Sequence, residues 1–196
     1  MKKKNISIFT TTRADFGLLL PLIKKIQSDK YFNLNVVVSG THLERGYGNT
    51  IDEIKHHKIK NFHKIKINLN TLNEHKISQS ITKSLSKFAD FFNNSPSDLI
   101  ILLGDRYETL FIAIIARIFR IPIAHIHGGE KTNGSIDDNF RHALTKMSHL
   151  HFVSTEEYAN RVRQLGENPS TIYNVGSLGA YNAKNTKLFS KKEIEK

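Results

Sequence analysis

The 196-residue sequence contains no cysteine, so disulfide bonds and metal sites built on thiolates are excluded. It also lacks any run approaching the roughly 20 apolar residues that a membrane-spanning helix needs. The N-terminus is basic, but the apolar stretch at 6–9 is followed at once by three threonines, Arg13 and Asp15. This pattern indicates a first strand rather than a secretion signal. We therefore expect a cytoplasmic protein that does not associate with membranes.

Acidic residues are scarce relative to basic ones, with 18 Asp and Glu against 29 Lys and Arg, for a net charge of +11. Such an excess suggests an anionic ligand or nonspecific affinity for polyanions, and it is equally typical of a lysine-rich proteome. Lysines are scattered without interleaved aromatic residues, as at Lys55, Lys58, Lys60, Lys64 and Lys66. The sequence carries no recognisable nucleic-acid-binding module, so nucleic acid is not a predicted partner.

Short β-rich runs alternate with stretches of helical periodicity. Strands are predicted at 6–10, 34–38, 99–103, 121–126 and 149–153, and helices at 17–26, 77–92, 108–119, 136–147 and 156–165. A further strand at 62–68 and a short helix at 49–56 complete the pattern. The run Leu-Ile-Ile-Leu-Leu at 99–103 is apolar throughout, which is typical of a strand covered on both faces. The sequence therefore predicts an α/β fold, a parallel sheet with helices on both faces.

The alternating pattern thins after Asn174. We predict one domain at 1–175 and a linker at 176–196. Within the linker a helix is predicted to begin at Ser190, with this serine as its N-cap. A helix that begins so late has two interpretations from the sequence. It leads into a further part of the protein, or it is a terminal helix that docks back on the domain.

Polar and glycine residues follow the predicted strands at 11–15, 39–43, 104–106, 125–130 and 154–155. In an open parallel sheet, ligands bind beyond the carboxyl ends of the strands, where helix N-termini also present free N–H groups. We therefore expect these segments to share one edge and to form a site there. Arg13 follows two threonines in a turn that suits phosphate, although no GxGxxG or Walker pattern is present.

Asp105 and Arg106 directly follow the apolar run at 99–103. Asp105 is either a carboxylate with a tuned pKa at the mouth of a cleft or the N-cap of the next helix. Arg106 either grips phosphate oxygens through its guanidinium fork or forms a local ion pair with Asp105 or Glu108.

The hexapeptide His-Ile-His-Gly-Gly-Glu at 125–130 is a poor metal signal by itself, because the spacing His-x-His needs further ligands. Its glycines allow a close approach to a ligand or a tight turn. Glu130, Asp137 and Asp138 are candidates for acid/base work, and the two aspartates also suit the first turn of a helix. The histidines His42, His125 and His127 are candidate bases or ligands, or hydrogen-bonded structural residues, whereas His149 and His151 are predicted to be structural.

Five ordered motifs together resemble the hydrolysing UDP-N-acetylglucosamine 2-epimerases. They are Thr-Arg-Ala-Asp-Phe-Gly at 12–17, Gly-Thr-His-Leu-Glu-Arg-Gly-Tyr-Gly-Asn-Thr at 40–50, Gly-Asp-Arg-Tyr-Glu at 104–108, the hexapeptide at 125–130, and Ile-Asp-Asp-Asn-Phe-Arg-His-Ala-Leu-Thr-Lys at 136–146. The likeness extends from about residue 6 to residue 181. It implies a Rossmann-like domain that forms the N-terminal half of a GT-B-type two-domain fold, with the substrate between the two domains.

The resemblance also implies an activity and a set of site residues. The activity is hydrolysis and epimerisation of a UDP-sugar, with no metal or redox cofactor, in a homo-oligomeric enzyme whose second domain lies outside this sequence. By motif, Asp105, Asp137, His127 and Glu130 become catalytic candidates. The candidates for binding substrate or nucleotide are Arg13, His42, Arg106, His125, Gly128 and Gly129.

Two features refine this expectation. The non-hydrolysing relatives carry glutamate at the position of His127, so His127 favours the hydrolysing branch, with proton transfer assigned mainly to Asp105 and Asp137. The sugar is UDP-N-acetylglucosamine or the 2,4-diacetamido-2,4,6-trideoxy sugar of legionaminic acid synthesis. A sugar-nucleotide-binding module without catalytic activity is the alternative class.

Overall fold

The structure, a computed structural model, describes residues 2–44, 46, 48, 50–67 and 73–186. Within these residues seven strands form one sheet in the order β3-β2-β1-β4-β5-β6-β7, and every neighbouring pair is parallel. The strands are β1 (Lys4–Thr10), β2 (Phe32–Val38), β3 (Phe62–Lys64), β4 (Leu99–Leu103), β5 (Ile123–Ile126), β6 (Leu150–Val153) and β7 (Ile172–Asn174). Strand order reverses between β1 and β4, which is the topological switch point of such a sheet.

Helices connect the strands on both faces of the sheet. They are α1 (Arg13–Ser28), α2 (Ile51–His56), α3 (Glu74–Asn94), α4 (Tyr107–Ile118), α5 (Asp137–Met147), α6 (Glu156–Gln164) and α7 (Leu178–Asn185). A 3₁₀ turn, Gly40–Leu43, follows β2. None of the helices in the described ranges is long and apolar enough to cross a membrane.

The core consists of two apolar layers, one on each face of the sheet. On one face α3, α4 and α5 pack against side chains that include Ile100 and Leu102 of β4. On the other face α1 and α2 pack against side chains that include Ile101. Successive side chains of a strand point to opposite faces, so β4 meets an apolar layer on each side. This explains why the run at 99–103 is apolar throughout and confirms the predicted α/β class.

The predicted boundaries differ from the observed ones mainly at helix starts. α1 begins at Arg13 rather than 17, because Thr12 and Asp15 form a capping box: the Thr12 side chain accepts from the Asp15 N–H, and the Asp15 side chain accepts from the Thr12 N–H. The predicted strand at 62–68 is confirmed for Phe62–Lys64 and is wrong for 65–67, which are not in a strand, while residue 68 lies outside the described residues. The strand β7 and the helix α7 were not predicted.

The segment predicted as a linker, 176–196, is partly helical. Ser177 caps α7, and the Asn182 side chain donates to the Gly17 carbonyl of α1 at 2.9 Å. This part of the segment therefore docks back on the domain. Residues 187–196, including the helix predicted at Ser190, lie outside the described residues, and the second domain remains a prediction.

Candidate active site

Five polar segments meet at the carboxyl edge of the sheet, because β1, β2, β4, β5 and β6 are all parallel and each segment follows one of them. Two of these strands, β1 and β4, flank the switch point, where ligands of open α/β sheets bind. The expectation that segments remote in sequence share one edge is confirmed by this topology.

Arg141 of α5 is the centre of the polar cluster at this edge, with its side chain only 6% exposed. It donates to a carboxylate oxygen of Asp105, to the backbone carbonyl of His127 at 3.0 Å and to the Thr132 hydroxyl at 3.3 Å. Two further carboxylates lie close, Glu130 at 3.5 Å and Asp138 at 4.0 Å. A buried guanidinium with several carboxylate partners holds segments from β4, β5 and α5 in one arrangement.

Asp105 is a half-buried carboxylate with a raised pKa. Burial raises the pKa, Arg141 opposes the shift, and the negative charges of Asp137 and Glu130 raise the pKa further. The interpretation of Asp105 as a helix cap is wrong, because Arg106 occupies the N-cap position of α4 and makes no side-chain capping bond. Asp105 instead lies directly before the helix, held by Arg141.

Arg106 forms its ion pair with Glu108 rather than with Asp105. Its Nε and Nη2 donate to the two carboxylate oxygens of Glu108 at 3.2 and 2.7 Å. The Glu108 side chain is 1% exposed, whereas the Arg106 side chain is 41% exposed. The guanidinium is therefore anchored on one side and open to solvent on the other, at the N-terminus of α4. That placement suits an anionic group of a ligand, the role predicted for Arg106.

His127 and Glu130 lie against each other at the end of β5. His127 Nδ1 is 3.2 Å from Glu130 Oε1, and the Ser154 hydroxyl donates to the same oxygen at 2.8 Å. Although burial raises the pKa of Glu130, the bonds from His127 and Ser154 and the charge of Arg141 lower it overall. His127 has φ of 66°, and its buried Nε2 has no hydrogen-bond partner among the described residues. A left-handed non-glycine residue at a site of this kind is a recurrent mark of function.

Asp137 lies in the first turn of α5, where its carboxylate accepts from the Ser135 hydroxyl at 3.0 Å. Its charge is close enough to raise the pKa of Asp105. A neighbouring negative charge that raises the pKa of a carboxylate lets it hold a proton closer to neutral pH, which is what a general acid/base group needs. The catalytic roles of Asp105, Asp137, His127 and Glu130 remain predictions.

Arg13 is exposed at the start of α1, and its Nε donates to Glu53 at 3.0 Å. The turn that carries it is held by Asp15, whose carboxylate accepts from the N–H groups of Thr11 and Thr12, both at 2.9 Å. Arg13 therefore projects from a fixed turn beside the switch point. This placement is compatible with the nucleotide contact predicted for it.

His42 is buried behind the same turn rather than open to the edge, with 1% of its surface exposed. The single Thr10 hydroxyl proton is donated to Asp15, so Thr10 accepts from His42 Nε2 at 2.9 Å. The neutral ring then accepts at Nδ1 from Thr50 at 2.7 Å. Burial lowers the pKa of His42, against the opposing charge of Asp15. His42 therefore supports the turn from behind, and its ring does not itself face the edge of the sheet where a ligand would bind.

His125 is fully buried on β5 and is linked to the site through Gly104. Its Nε2 lies 2.8 Å from the Gly104 carbonyl, and Nδ1 lies 3.2 Å from the Thr145 hydroxyl. Gly104 has φ of 83° and directly precedes Asp105, so the histidine anchors the turn that presents this carboxylate. His149 and His151, predicted to be structural, also lie away from the edge: His149 accepts from the Ile123 N–H at 3.2 Å, and His151 is buried.

The histidine His125 should make stability depend on pH. Burial lowers its pKa to about 3, against a bond to the Gly104 carbonyl that raises it. In the unfolded chain His125 takes up a proton near pH 6.5, whereas in the folded chain it stays neutral until about pH 3. The free energy of unfolding therefore falls as pH drops below 6.5. We expect His125 to contribute a loss of about 1.4 kcal/mol per pH unit between pH 6 and 4. Urea unfolding at several pH values measures this slope.

The matched variants for that measurement are His125→Gln and His75→Gln, the second at an exposed histidine of α3. The slope should flatten by about one proton in His125→Gln and stay unchanged in His75→Gln. The buried His42 and His151, whose pKa values are lowered mainly by burial, keep part of the slope. An identical slope in both variants would contradict a neutral His125.

The glycine pair at 128 and 129 is a tightly packed turn. A Cβ on Gly128 would lie 3.0 Å from His125 Nδ1. A Cβ on Gly129 would lie 2.4 Å from the Tyr158 carbonyl oxygen and 2.8 Å from Val162 Cγ2, and its φ is 75°. The turn interpretation is thus sufficient for both glycines, while the predicted ligand contact remains a prediction.

Gly129→Ala should destabilise the chain by about 3 kcal/mol, because a left-handed backbone and overpacking against α6 both penalise the methyl group. Gly134→Ala is the matched control. Gly134 has φ of 79°, but a Cβ there meets nothing within 4 Å. It should cost only the backbone term, about 1 kcal/mol. If the two variants lose the same free energy of unfolding, α6 accommodates the added methyl group of Gly129→Ala without a packing penalty, and the prediction is wrong.

The sequence reasoning missed Arg141, although this residue belongs to the motif at 136–146. Its spacing of three residues from Asp138 and four from Asp137 places all of them on neighbouring positions of one helix. That spacing was the available signal. Nothing in the sequence indicated that Arg141 would be buried against Asp105, which precedes it by 36 residues. In the described part of the chain, no group of three or more His, Asp or Glu side chains is arranged to hold a metal ion.

Comparison with known proteins identifies the family of this chain. Residues 24–196 match the sequence model of the family described as UDP-N-acetylglucosamine 2-epimerase. The chain is 43% identical over 98% of its length to the polysialic acid biosynthesis protein P7 of Escherichia coli, covering 49% of that protein. It is 42% identical over its full length to the hydrolysing GDP/UDP-N,N'-diacetylbacillosamine 2-epimerase of Campylobacter jejuni, covering 51% of that protein. The chain belongs to the UDP-N-acetylglucosamine 2-epimerase family.

The fold agrees with a solved member of the family. A crystal structure of UDP-GlcNAc 2-epimerase from Neisseria meningitidis bound to UDP-GlcNAc superposes with a TM-score of 0.74 and 21% identity, over 91% of this chain and 47% of that one. The predicted fold class, a Rossmann-like domain of the GT-B type, is confirmed. The chain spans about half the length of the curated relatives it matches.

Proposed function

We propose that this chain forms the N-terminal half of a hydrolysing sugar-nucleotide 2-epimerase that converts UDP-N-acetylglucosamine and water into N-acetylmannosamine and UDP. The observation that carries the proposal is the Asp105–Arg141 pair at the switch point, a half-buried carboxylate with a raised pKa beside a second carboxylate. Family membership supplies the substrate class, because relatives are named for 2-epimerisation of UDP-sugars.

The proposed reaction balances in two steps. A base takes the proton from C2 while the C1–O bond to UDP breaks, which leaves a 2-acetamidoglucal and UDP. Water then adds across the double bond, with the hydroxyl at C1 and a proton at C2 on the opposite face, and the product is the free epimerised sugar. A C2 proton is weakly acidic, so a positioned carboxylate and positive charge near the leaving diphosphate are both needed.

Each requirement has a candidate at the carboxyl edge. Asp105 and Asp137 are assigned the proton transfers. The exposed side of Arg106 and the exposed Arg13 are assigned to the diphosphate. Arg141 acts through Asp105 by fixing its position and holding down its pKa. No step requires a metal or redox cofactor.

His127 supports the hydrolysing branch of the family. An imidazole transfers protons without the negative charge of the glutamate found in the non-hydrolysing relatives. Its Nδ1 lies against Glu130, which is held in turn by a hydrogen bond from Ser154. Its left-handed backbone holds the side chain at the end of β5. A relative from Campylobacter jejuni is named as a hydrolysing enzyme, which supports the choice of this branch.

The second candidate substrate is the UDP-linked 2,4-diacetamido-2,4,6-trideoxy sugar. It is favoured by the 42% identity to an enzyme named for N,N'-diacetylbacillosamine. Both substrates share the 2-acetamido group and the diphosphate, so the chemistry at C1 and C2 is the same. The two differ at C4 and C6, away from the bonds that react.

The remaining expectations are part of the proposal. Since the chain spans about half the length of its relatives, we propose that the isolated chain is inactive and that a second domain completes the substrate-binding site. The complete enzyme is proposed to be a cytoplasmic homo-oligomer that does not bind nucleic acid.

The test uses the chain alone and a completed enzyme, meaning this chain joined to the remaining half of the Escherichia coli relative. Each is incubated in deuterated water with both candidate UDP-sugars. We expect the completed enzyme to release UDP together with a sugar that carries deuterium at C2, and the chain alone to release neither. The relative's own two halves, joined at the same point, are the positive control. UDP release without deuterium at C2 would refute elimination through that carbon.

A further inference from the structure

Most of the positive charge of the chain is concentrated in one stretch. Residues 54–89 contain eight lysines and a single acidic residue, Glu74, which gives a net charge of +7 out of the chain's +11. This stretch includes the edge strand β3 and most of α3. The charge excess of the sequence is therefore concentrated in the segments around the edge strand β3, rather than spread evenly along the chain.

The same stretch borders two hollows that share the side chain of Lys87. The larger, of about 490 Å³, is lined by His63, Lys64, Ile65, Lys66, Lys87, Asp90, Phe91, Asn94 and Ser95. The second, of about 340 Å³, is lined by Ile67, Ser80, Lys83, Ser84, Ser86 and Lys87. These volumes are within the range of small-ligand sites. We call the two together the lysine hollow; it shares no lining residue with the Arg141 cluster.

The four lysines of the hollow, Lys64, Lys66, Lys83 and Lys87, form no ion pair with a carboxylate among the described residues, and a single carboxylate, Asp90, lines the hollow with them. Lys87 donates to the backbone carbonyl of Lys66, and Lys64 lies 5.8 Å from the ring centroid of Phe62. Within the same stretch but away from the hollow, Lys55 pairs with Asp52, and Lys4 and Lys146 elsewhere in the chain also pair with acidic side chains. Like charges around a concave surface repel one another, so this arrangement favours an anion that neutralises them.

Protection of the sheet edge explains only part of the pattern. Lysines on an edge strand discourage pairing with another chain, and Lys64 and Lys66 at β3 fit that role. Lys83 and Lys87 belong to α3, which is not a sheet edge, so the same explanation does not reach them. Lysines from α3 and from β3 line the same hollow, and a bound anion would explain this arrangement where edge protection does not.

We propose that the lysine hollow is a binding site for a small oligophosphate, separate from the carboxyl-edge site and independent of the proposed epimerase activity. Ammonium groups are compact point charges that suit clustered phosphates. The hollow also offers hydroxyl and amide groups from Ser80, Ser84, Ser86 and Asn94 as further hydrogen-bonding partners.

A nucleic acid is a poorer fit than a small anion. Single-stranded nucleic acids bind through exposed aromatic rings on which bases stack. The exposed large hydrophobic residues of the described chain are Tyr31, Ile118, Phe119, Ile136, Tyr173, Val175 and Tyr181, and none lies in the basic stretch.

The test titrates the 196-residue chain with inorganic tripolyphosphate at low ionic strength. Calorimetry gives the stoichiometry, and backbone amide shifts in NMR spectra locate the site. We expect saturable 1:1 binding, with the largest shifts at 63–67 and 80–95. Shifts spread evenly over all lysine-containing segments, or shifts centred on the amides around Asp105 and displaced by UDP, would overturn the proposal.

Variants with equal charge changes separate a site from general attraction. Lys64→Glu combined with Lys83→Glu should weaken tripolyphosphate binding by at least tenfold, whereas Lys2→Glu combined with Lys3→Glu should change it less than twofold. All four side chains are exposed, so the fold is expected to tolerate both pairs. The pair Lys64→Arg and Lys83→Arg should retain binding. Equal weakening by both glutamate pairs, or tighter 1:1 binding of a DNA oligonucleotide at the same amides, would refute the oligophosphate site.

Discussion

Replacing Asp105 by asparagine should reduce the turnover of the completed enzyme by about 10³-fold, the usual contribution of a positioned acid/base group. Asparagine has the shape of aspartate and keeps an oxygen that accepts from Arg141, but it cannot take up a proton from C2. The measurement is the rate of UDP release together with deuterium incorporation at C2. Both should fall in parallel, because the proposed proton transfer and the loss of UDP belong to one elimination step.

Two controls separate chemistry from folding. Asp52→Asn removes a carboxylate that is 62% exposed and pairs with Lys55 on the surface of α2, so turnover should be unchanged. Urea unfolding of the isolated chain with Asp105→Asn should show a loss of no more than about 1.5 kcal/mol, since one hydrogen-bond acceptor remains. A variant that unfolds, or one that turns over at the normal rate, would remove Asp105 from the proposed catalytic role.

The sequence was sufficient to predict the parallel sheet and the edge at which the site lies. The apolar run at 99–103 required burial on both faces, and the polar segments after each strand required a common edge once all strands were parallel. These conclusions depend on periodicity, which is a local property of the chain. The same reasoning missed β7 and α7, because their side chains are largely exposed or only half buried and carry little periodic signal.

Roles within the site could not be read from the sequence, because they depend on contacts between distant segments. Asp105 after an apolar strand is as suitable for a helix cap as for a catalytic group. The structure excludes the cap, because Arg106 is the N-cap residue of α4 and Asp105 is instead held by Arg141. His42 and His125 belong to matching motifs, yet both rings are buried and support turns rather than face the edge. Burial of this kind is decided by tertiary packing.

Among the residues of the site, replacing Arg141 should cause the largest loss in the free energy of unfolding. Its guanidinium is buried among Asp105, Glu130 and Asp138, so Arg141→Gln leaves three carboxylates close together without their cation. Breaking a buried ion pair from one side typically costs about 3–5 kcal/mol. We expect a loss of about 3 kcal/mol in the free energy of unfolding of the isolated chain at pH 7, at the lower end because the carboxylates are 19–24% exposed.

The matched control is Arg163→Gln, since Arg163 is 38% exposed and pairs with the exposed Glu156. Removal of such a surface pair should cost less than about 1 kcal/mol. The completed enzyme with Arg141→Gln should also lose turnover, because Asp105 then loses the contact that positions it and the positive charge that limits the rise of its pKa. Arg141→Lys separates the charge of Arg141 from its hydrogen-bonding geometry. A lysine keeps the positive charge, but its ammonium group cannot bond Asp105 and the His127 carbonyl together as the planar guanidinium does.

The pH dependence of the Arg141→Gln deficit distinguishes electrostatics from lost packing. Arg141 lowers the pKa of both Asp105 and Glu130, so its removal raises these pKa values in the folded state. Carboxyl groups with raised folded pKa values favour the folded state below their unfolded pKa, near 4, and lose that contribution as pH rises through the folded pKa. The deficit relative to the unmodified chain should therefore be full at pH 7 and shrink as pH falls toward 4. A deficit that stays constant across this range in urea unfolding would assign the role of Arg141 to packing and would remove the electrostatic basis for the tuned carboxylate at Asp105.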